Sequence, residues 1–205
     1  MILTGSTPTL PEQEISTRLS GRYFSVTVYP LSFSGYLHFN GVSQPTQREK
    51  RVLFADYLKY GGFPRVVLEQ NEELKVQLLK NYYETIYLKD IIFPNRLRNN
   101  RDIVDLLYFL ISNGGTLLSY NRIARDFHIA TDTVREYIGY AEYAFLLYTL
   151  MKFDYSVKKQ LANPKKVYCP DTGLVNAVAC TFSENTGRLL ENMVCSTLAK
   201  RYEEV

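Results

Sequence analysis

The sequence predicts a mainly α protein with a minor β component, an α+β chain. Three observations carry that expectation. Residues 100–113 place Ile103, Leu106, Leu107, Leu110 and Ile111 at the i, i+3, i+4, i+7 and i+8 positions of one helical face. Two further short helical patterns follow, joined by His128 to Ala130 in the manner of a helix-turn-helix. Extended alternation is confined to brief runs: Tyr23 to Tyr29, Leu147 to Phe153 and Lys165 to Cys169.

Taken in order, Met1, Ile2 and Leu3 form an apolar run that stops at Thr4, Gly5 and Ser6, as a buried strand ends at the rim of a sheet. Ligands of open α/β sheets bind beyond such strand ends, where the hydroxyls of Thr4 and Ser6 would meet a phosphate or an attacking water. Leu10 to Leu19 then reads as a helix, with Ile15 and Leu19 on its packed face. Tyr23 to Tyr29 alternates, with Phe24, Val26 and Val28 on one side, and reads as a second strand. Phe39 to Arg51 is polar and reads as a linker.

Helical spacing resumes over residues 52–60 and stops at the GGFP turn of Gly61 to Pro64. Residues 72–92 form a longer helix with Leu78, Leu79, Tyr82, Tyr83 and Ile86 on one face. Such an aromatic stripe is either core or a stacking surface for bases, and core is the commoner outcome. The pattern of residues 100–113 ends at Asn113, Gly114 and Gly115; the next helix starts at Ser119, and a third covers Thr131 to Phe145, with Val134, Ile138 and Ala141 inward. Ala130 stands where a hydroxyl cap is common, so Thr131 is expected to cap one residue later. The two runs after that helix pair around a basic loop, and helices followed by such a hairpin make a winged helix.

Length and composition exclude several classes. The 205 residues, 46% hydrophobic, suffice for one or two domains. A net charge of +3 makes no global electrostatic case for nucleic acid or membrane, so local patches must carry it. Cys169, Cys180 and Cys195 show neither C-x-x-C nor Cys/His metal spacing, and His38 and His128 lie far from them; the cysteines read as reduced thiols of a cytoplasmic protein. No signal peptide or apolar run approaching ~20 residues marks export or a membrane span.

Seven motifs, in order, resemble one family: LTGS (3–6), LSGR (19–22), YPLSF (29–33), YLKYGGFP (57–64), YLKDI (87–91), NPKKVYCPDTGL (163–174) and GRLLEN (187–192). Together they are similar to AAA-superfamily ATP-binding proteins of archaea and bacteria that carry a C-terminal domain of unknown function. The resemblance implies a remnant of a P-loop AAA-type core at 1–40, a helical lid and linker at 41–98, a winged helix at 99–180, and at 181–205 the start of a restriction-endonuclease-like domain. It implies that Ser6 is a sensor 1 residue, that Arg18 and Arg22 are arginine-finger candidates, and that Glu191 is the first acid of a nuclease-like site. For each, a plain reading stands beside it: a turn hydroxyl, helix-end cations, and a solvent-facing or helix-dipole carboxylate.

The resemblance implies ATP and magnesium for intact relatives. No G-x-x-x-x-G-K-[ST] string occurs here, so this chain alone is expected to bind neither and not to be catalytically competent. Both ends stop inside recognised units, so gene truncation or a misplaced start is expected ahead of complementation by an adjacent chain that supplies the phosphate loop. Two functions of different classes follow. In the first, the winged helix is a regulatory or interdomain module with weak, sequence-nonspecific nucleic-acid contact through Lys158, Lys159, Lys165 and Lys166, helped by Arg122 and Arg125. In the second, it is a free-standing DNA-binding regulator that reads a site through Arg135. Exposed Asp132, Glu136 and Glu142 on the third helix weigh against the second.

Overall fold

A computed structural model describes residues 5, 24, 26–97, 100–179 and 186–203. They are mainly helical, with one small antiparallel sheet. Helix α1 (Phe33–Phe39) begins at Ser32, whose hydroxyl accepts the Gly35 N–H. Helix α2 (Gln47–Tyr60) starts inside the stretch expected to be a linker. The cause is a capping box: the Thr46 side chain accepts the Glu49 N–H while the Glu49 carboxylate accepts the Thr46 N–H.

After the glycine pair come α3 (Pro64–Leu68) and α4 (Glu72–Thr85), the latter capped by Asn71. The chain continues directly into a π-helical segment, Ile86–Ile92. The aromatic stripe of this region is interior packing: Tyr82 lies against Phe63, with ring centroids 5.0 Å apart, and Tyr83 against Tyr87 at 5.1 Å.

The second half runs α5 (Asn100–Ser112), β1 (Leu117–Leu118), α6 (Tyr120–Phe127), α7 (Thr131–Tyr143), β2 (Tyr148–Leu150), α8 (Val157–Ala162), β3 (Lys165–Tyr168), α9 (Thr172–Ala179) and α10 (Thr186–Glu203). Strand β3 is central and antiparallel to both neighbours, in the order β1-β3-β2, with Leu117 opposite Lys166 and Thr149 opposite Val167. The loop expected between β2 and β3 holds α8, which Ser156 starts by accepting the Lys159 N–H.

The stripe on α5 is fully buried and packs with Val134 and Ile138 of α7, Val167 of β3 and Leu174 of α9. Each such aliphatic side chain contributes roughly 1.5–3 kcal/mol. The same core takes in Leu79 of α4 and Ile91 of the π-helical segment, so elements on either side of residue 98 share one interior. A smaller cluster joins Tyr36, Tyr57 and Val67 with Phe33 and Met193.

The strand expected at Tyr23 to Tyr29 is corrected where it is described. Residues 24 and 26–29 form no strand, and Phe24, Val26 and Val28 stand exposed. Alternation alone does not make a strand, because ladder hydrogen bonds need a neighbour, and none among the described residues supplies it. The chain turns inward from Tyr29 and Pro30, and the Leu31 N–H donates to the Gly62 carbonyl at 2.8 Å. The expected strand at 1–3 and helix at 10–19 lie outside the described residues. Among the described residues no helix is long and apolar enough to cross a membrane.

Candidate nucleic-acid interface

The surface that gathers the candidate contact residues is built by α6, α7 and the β2–β3 hairpin. Ser119 caps α6, and His128 ends it in the left-handed conformation (φ 56°), its N–H donating to the carbonyls of Ala124 and Arg125. That turn sends α7 off at Ala130, which has no side chain able to cap. Thr131 does not cap α7 as expected: its hydroxyl donates to Asn121 Oδ1 at 3.3 Å and ties the start of α7 to α6.

The charges of α7 are committed to neighbours. Arg135 Nη1 lies 3.0 Å from Asp132 Oδ1, and its guanidinium sits over the Tyr120 ring at 5.8 Å. Glu136 accepts the Tyr140 hydroxyl, which this bond and burial push up to about 12. Glu142 corrects the expectation of an exposed anion. It is half-buried and accepts both the N–H and the hydroxyl of Thr149, at 3.0 and 2.6 Å, so its carboxylate occupies a ladder donor of edge strand β2. On α6, Arg122 and Arg125 are exposed, and each lies within 3.6 Å of Asp126.

The lysines of the hairpin divide. Lys158 and Lys159 are exposed on α8, and Lys165 is half-buried on β3; none has an ion-pair partner among the described residues. Lys166 is removed from the expected set. Successive strand residues face opposite ways, and Lys166 meets α10, where its Nζ lies 2.6 Å from Glu191 Oε1. The same oxygen accepts the Tyr168 hydroxyl at 2.8 Å. The ammonium first and the phenol second hold Glu191 below the usual carboxylate range. Glu191 is half-exposed and at the same time ties α10 to β3. Among the described residues no group of three or more His, Cys, Asp and Glu could hold a metal ion. Ser6, Arg18, Arg22 and Cys180 lie outside the described residues.

Several of the recognised motifs converge on a different place. Asp171, fully buried, receives three backbone N–H groups: Gly62 at 2.7 Å on one oxygen, and Gly173 at 2.8 Å and Leu174 at 3.2 Å on the other. It thereby caps α9 and holds the glycine turn after α2. A Cβ on Gly62 would stand 2.2 Å from the Leu31 carbonyl oxygen, and one on Gly173 would stand 2.2 Å from that of Tyr60. Gly61 adopts φ +76°, open to glycine, with the Asp171 carboxyl against it. Beside this junction Asn192 exchanges two hydrogen bonds with the Cys169 backbone, both 2.8 Å, as a strand neighbour would. Burial pushes the Cys169 thiol up to about 12, so it is a packed thiol rather than a nucleophile. Lys200 donates to the Pro30 carbonyl at 3.1 Å. Asp171 escaped sequence reading because its role rests on glycines 109 and 2 positions away.

The family model that matches this chain covers residues 51–185 and is described as a domain of unknown function (DUF8612). An uncharacterized protein of Haemophilus influenzae is 31% identical over 206 residues, covering 98% of this chain and 51% of the relative. The uncharacterized protein MJ1544 of Methanocaldococcus jannaschii is 32% identical over 212 residues, covering 98% and 47%. The chain thus spans about half the length of these curated relatives. No solved structure matches it. These findings overturn the AAA-superfamily ATPase membership suggested by the motifs. The fold supplies a physical reason, since YLKYGGFP and CPDTGL are placed where backbone segments meet around one carboxylate, a packing role that needs no nucleotide. The chain belongs to the family of the domain of unknown function DUF8612.

Proposed function

We propose that residues 100–179 act as a winged helix that serves as a regulatory or interdomain module and touches nucleic acid weakly, through its wing, without reading sequence. The observation that carries this reading is the division of charge. Every charged side chain on α7 has a partner within the protein, whereas Lys158, Lys159 and Lys165 have no ion pair among the described residues. Three helices and a small sheet ordered β1-β3-β2 support this reading. Lysines on a hairpin hold phosphates as point charges, which positions a protein on a duplex but carries no base information.

Fluorescence anisotropy with random and chosen duplexes tests the reading. Equal affinity for both is expected, with K158A/K159A weakening binding and lowering the slope of log K against log salt by about 2. Arg135→Ala should leave affinity unchanged. A chosen duplex bound much more tightly than random ones, with the difference lost in R135A, would instead establish a free-standing sequence-reading regulator.

A further inference from the structure

The tip of the wing carries more than charge. Phe153 is 72% exposed and Tyr155 97% exposed, and their rings meet edge to face with centroids 5.3 Å apart. Lys152 precedes the pair, and Lys158 and Lys159 follow it. The one acid among them, Asp154, is turned back to accept the Ser156 N–H at 2.9 Å. Two large rings held in water in the connection between β2 and α8 are costly to leave unpartnered, and the core takes in neither. Strand addition is disfavoured as a way of covering them, because Glu142 occupies a ladder donor of β2. What remains is contact through side-chain faces, under a positive field.

We propose that the wing tip is a binding site for unpaired bases beside a duplex, with Tyr155 and Phe153 as the stacking and wedging groups and the flanking lysines on the adjoining phosphates. Each base offers a π-face to an exposed ring whatever its identity, and the phosphates on either side complement lysines on either side of the rings. The inference rests on the wing-docking reading and adds the class of structure preferred: forks, junctions and single-stranded ends over blunt duplex. An acidic protein partner would use the same lysines and rings, and binding of neither DNA is the outcome expected of it.

The test uses the 205-residue chain and two fluorescein-labelled DNAs that share one duplex, one blunt and one with unpaired arms. The fork should bind on the order of tenfold more tightly. F153A/Y155A, at exposed positions and checked for folding by circular dichroism, should lose that preference and bind the blunt duplex unchanged. Tyr155→Trp should keep it, and 2-aminopurine in the arm should report stacking with the wild type but not with the double variant. Equal affinity for fork and blunt DNA, or a preference that survives F153A/Y155A, would overturn the inference while leaving wing docking intact. Absence of binding to either DNA would remove both readings. Self-association abolished by F153A/Y155A, without DNA binding, would make the tip an interface between copies and likewise overturn it.

Discussion

The Asp171 junction and the β2–β3 hairpin are opposite solutions to placing polar groups near apolar ones. At the junction a carboxylate with almost no contact with water is held by three N–H donors, and glycines let the backbones close on it. On the β2–β3 hairpin, Lys158, Lys159 and Lys165 have no ion pair among the described residues, and the rings of Phe153 and Tyr155 stand in solvent. The junction gathers several of the most recognisable motifs, whereas the wing tip has none. A rare local string is therefore as readily the mark of a tight packing site as of chemistry, because close backbone approach restricts residue choice as severely as a ligand does.

The comparison is broken most directly at Asp171. Asp171→Ala strands three buried N–H donors and opens a cavity, so urea unfolding should show a loss of about 3–5 kcal/mol. Asp171→Asn, which keeps one acceptor oxygen, should lose less. A loss under about 1 kcal/mol for the alanine variant would mean the junction does not hold the fold together.

Glu191 is the intermediate case, a half-exposed pair between β3 and α10. Its folded carboxyl is held below the ordinary value of ~4.3, so its contribution is complete above that value and lost as pH falls through the lowered one. Glu191→Gln should therefore cost up to about 1 kcal/mol near neutral pH, after allowance for solvent screening, and converge with the wild type in acid. Urea midpoints across that range test the sign; a difference that widens on acidification would refute it.

The wing should show the smallest effect on stability and the largest on binding. K158A/K159A should shift the unfolding free energy by no more than about 0.5 kcal/mol, since both lysines are exposed and have no ion pair among the described residues. A larger loss would show that these two charges hold the β2–β3 hairpin in place.

Legibility in the sequence follows the range of the forces involved. The α5 stripe and the α6–α7 pair were readable because a packed helix face repeats within a few residues, and Ser119 marks its own cap. The start of α2 was also written locally, in Thr46 and Glu49, but lay within a stretch whose polarity suggested a linker. Phe24, Val26 and Val28 misled because alternation records what a strand could bury, not whether a partner strand exists. Of the candidate site, the lysines were visible as residues, but Lys166 was claimed by Glu191, 25 positions away, and Glu142 by Thr149 across a turn.

By itself the sequence determined the helical class, the succession of helices from residue 100 to 145, and the presence of a basic hairpin, all set by periodicity and composition within a few turns of chain. Only the tertiary structure decided which charges are free to meet a partner, that elements on either side of residue 98 share one core, and that CPDTGL and GGFP form one buried junction. The reason is physical: a hydrogen bond or ion pair depends on distance in space, and Gly62 and Asp171, 109 positions apart, stand 2.7 Å from one another only in the folded chain.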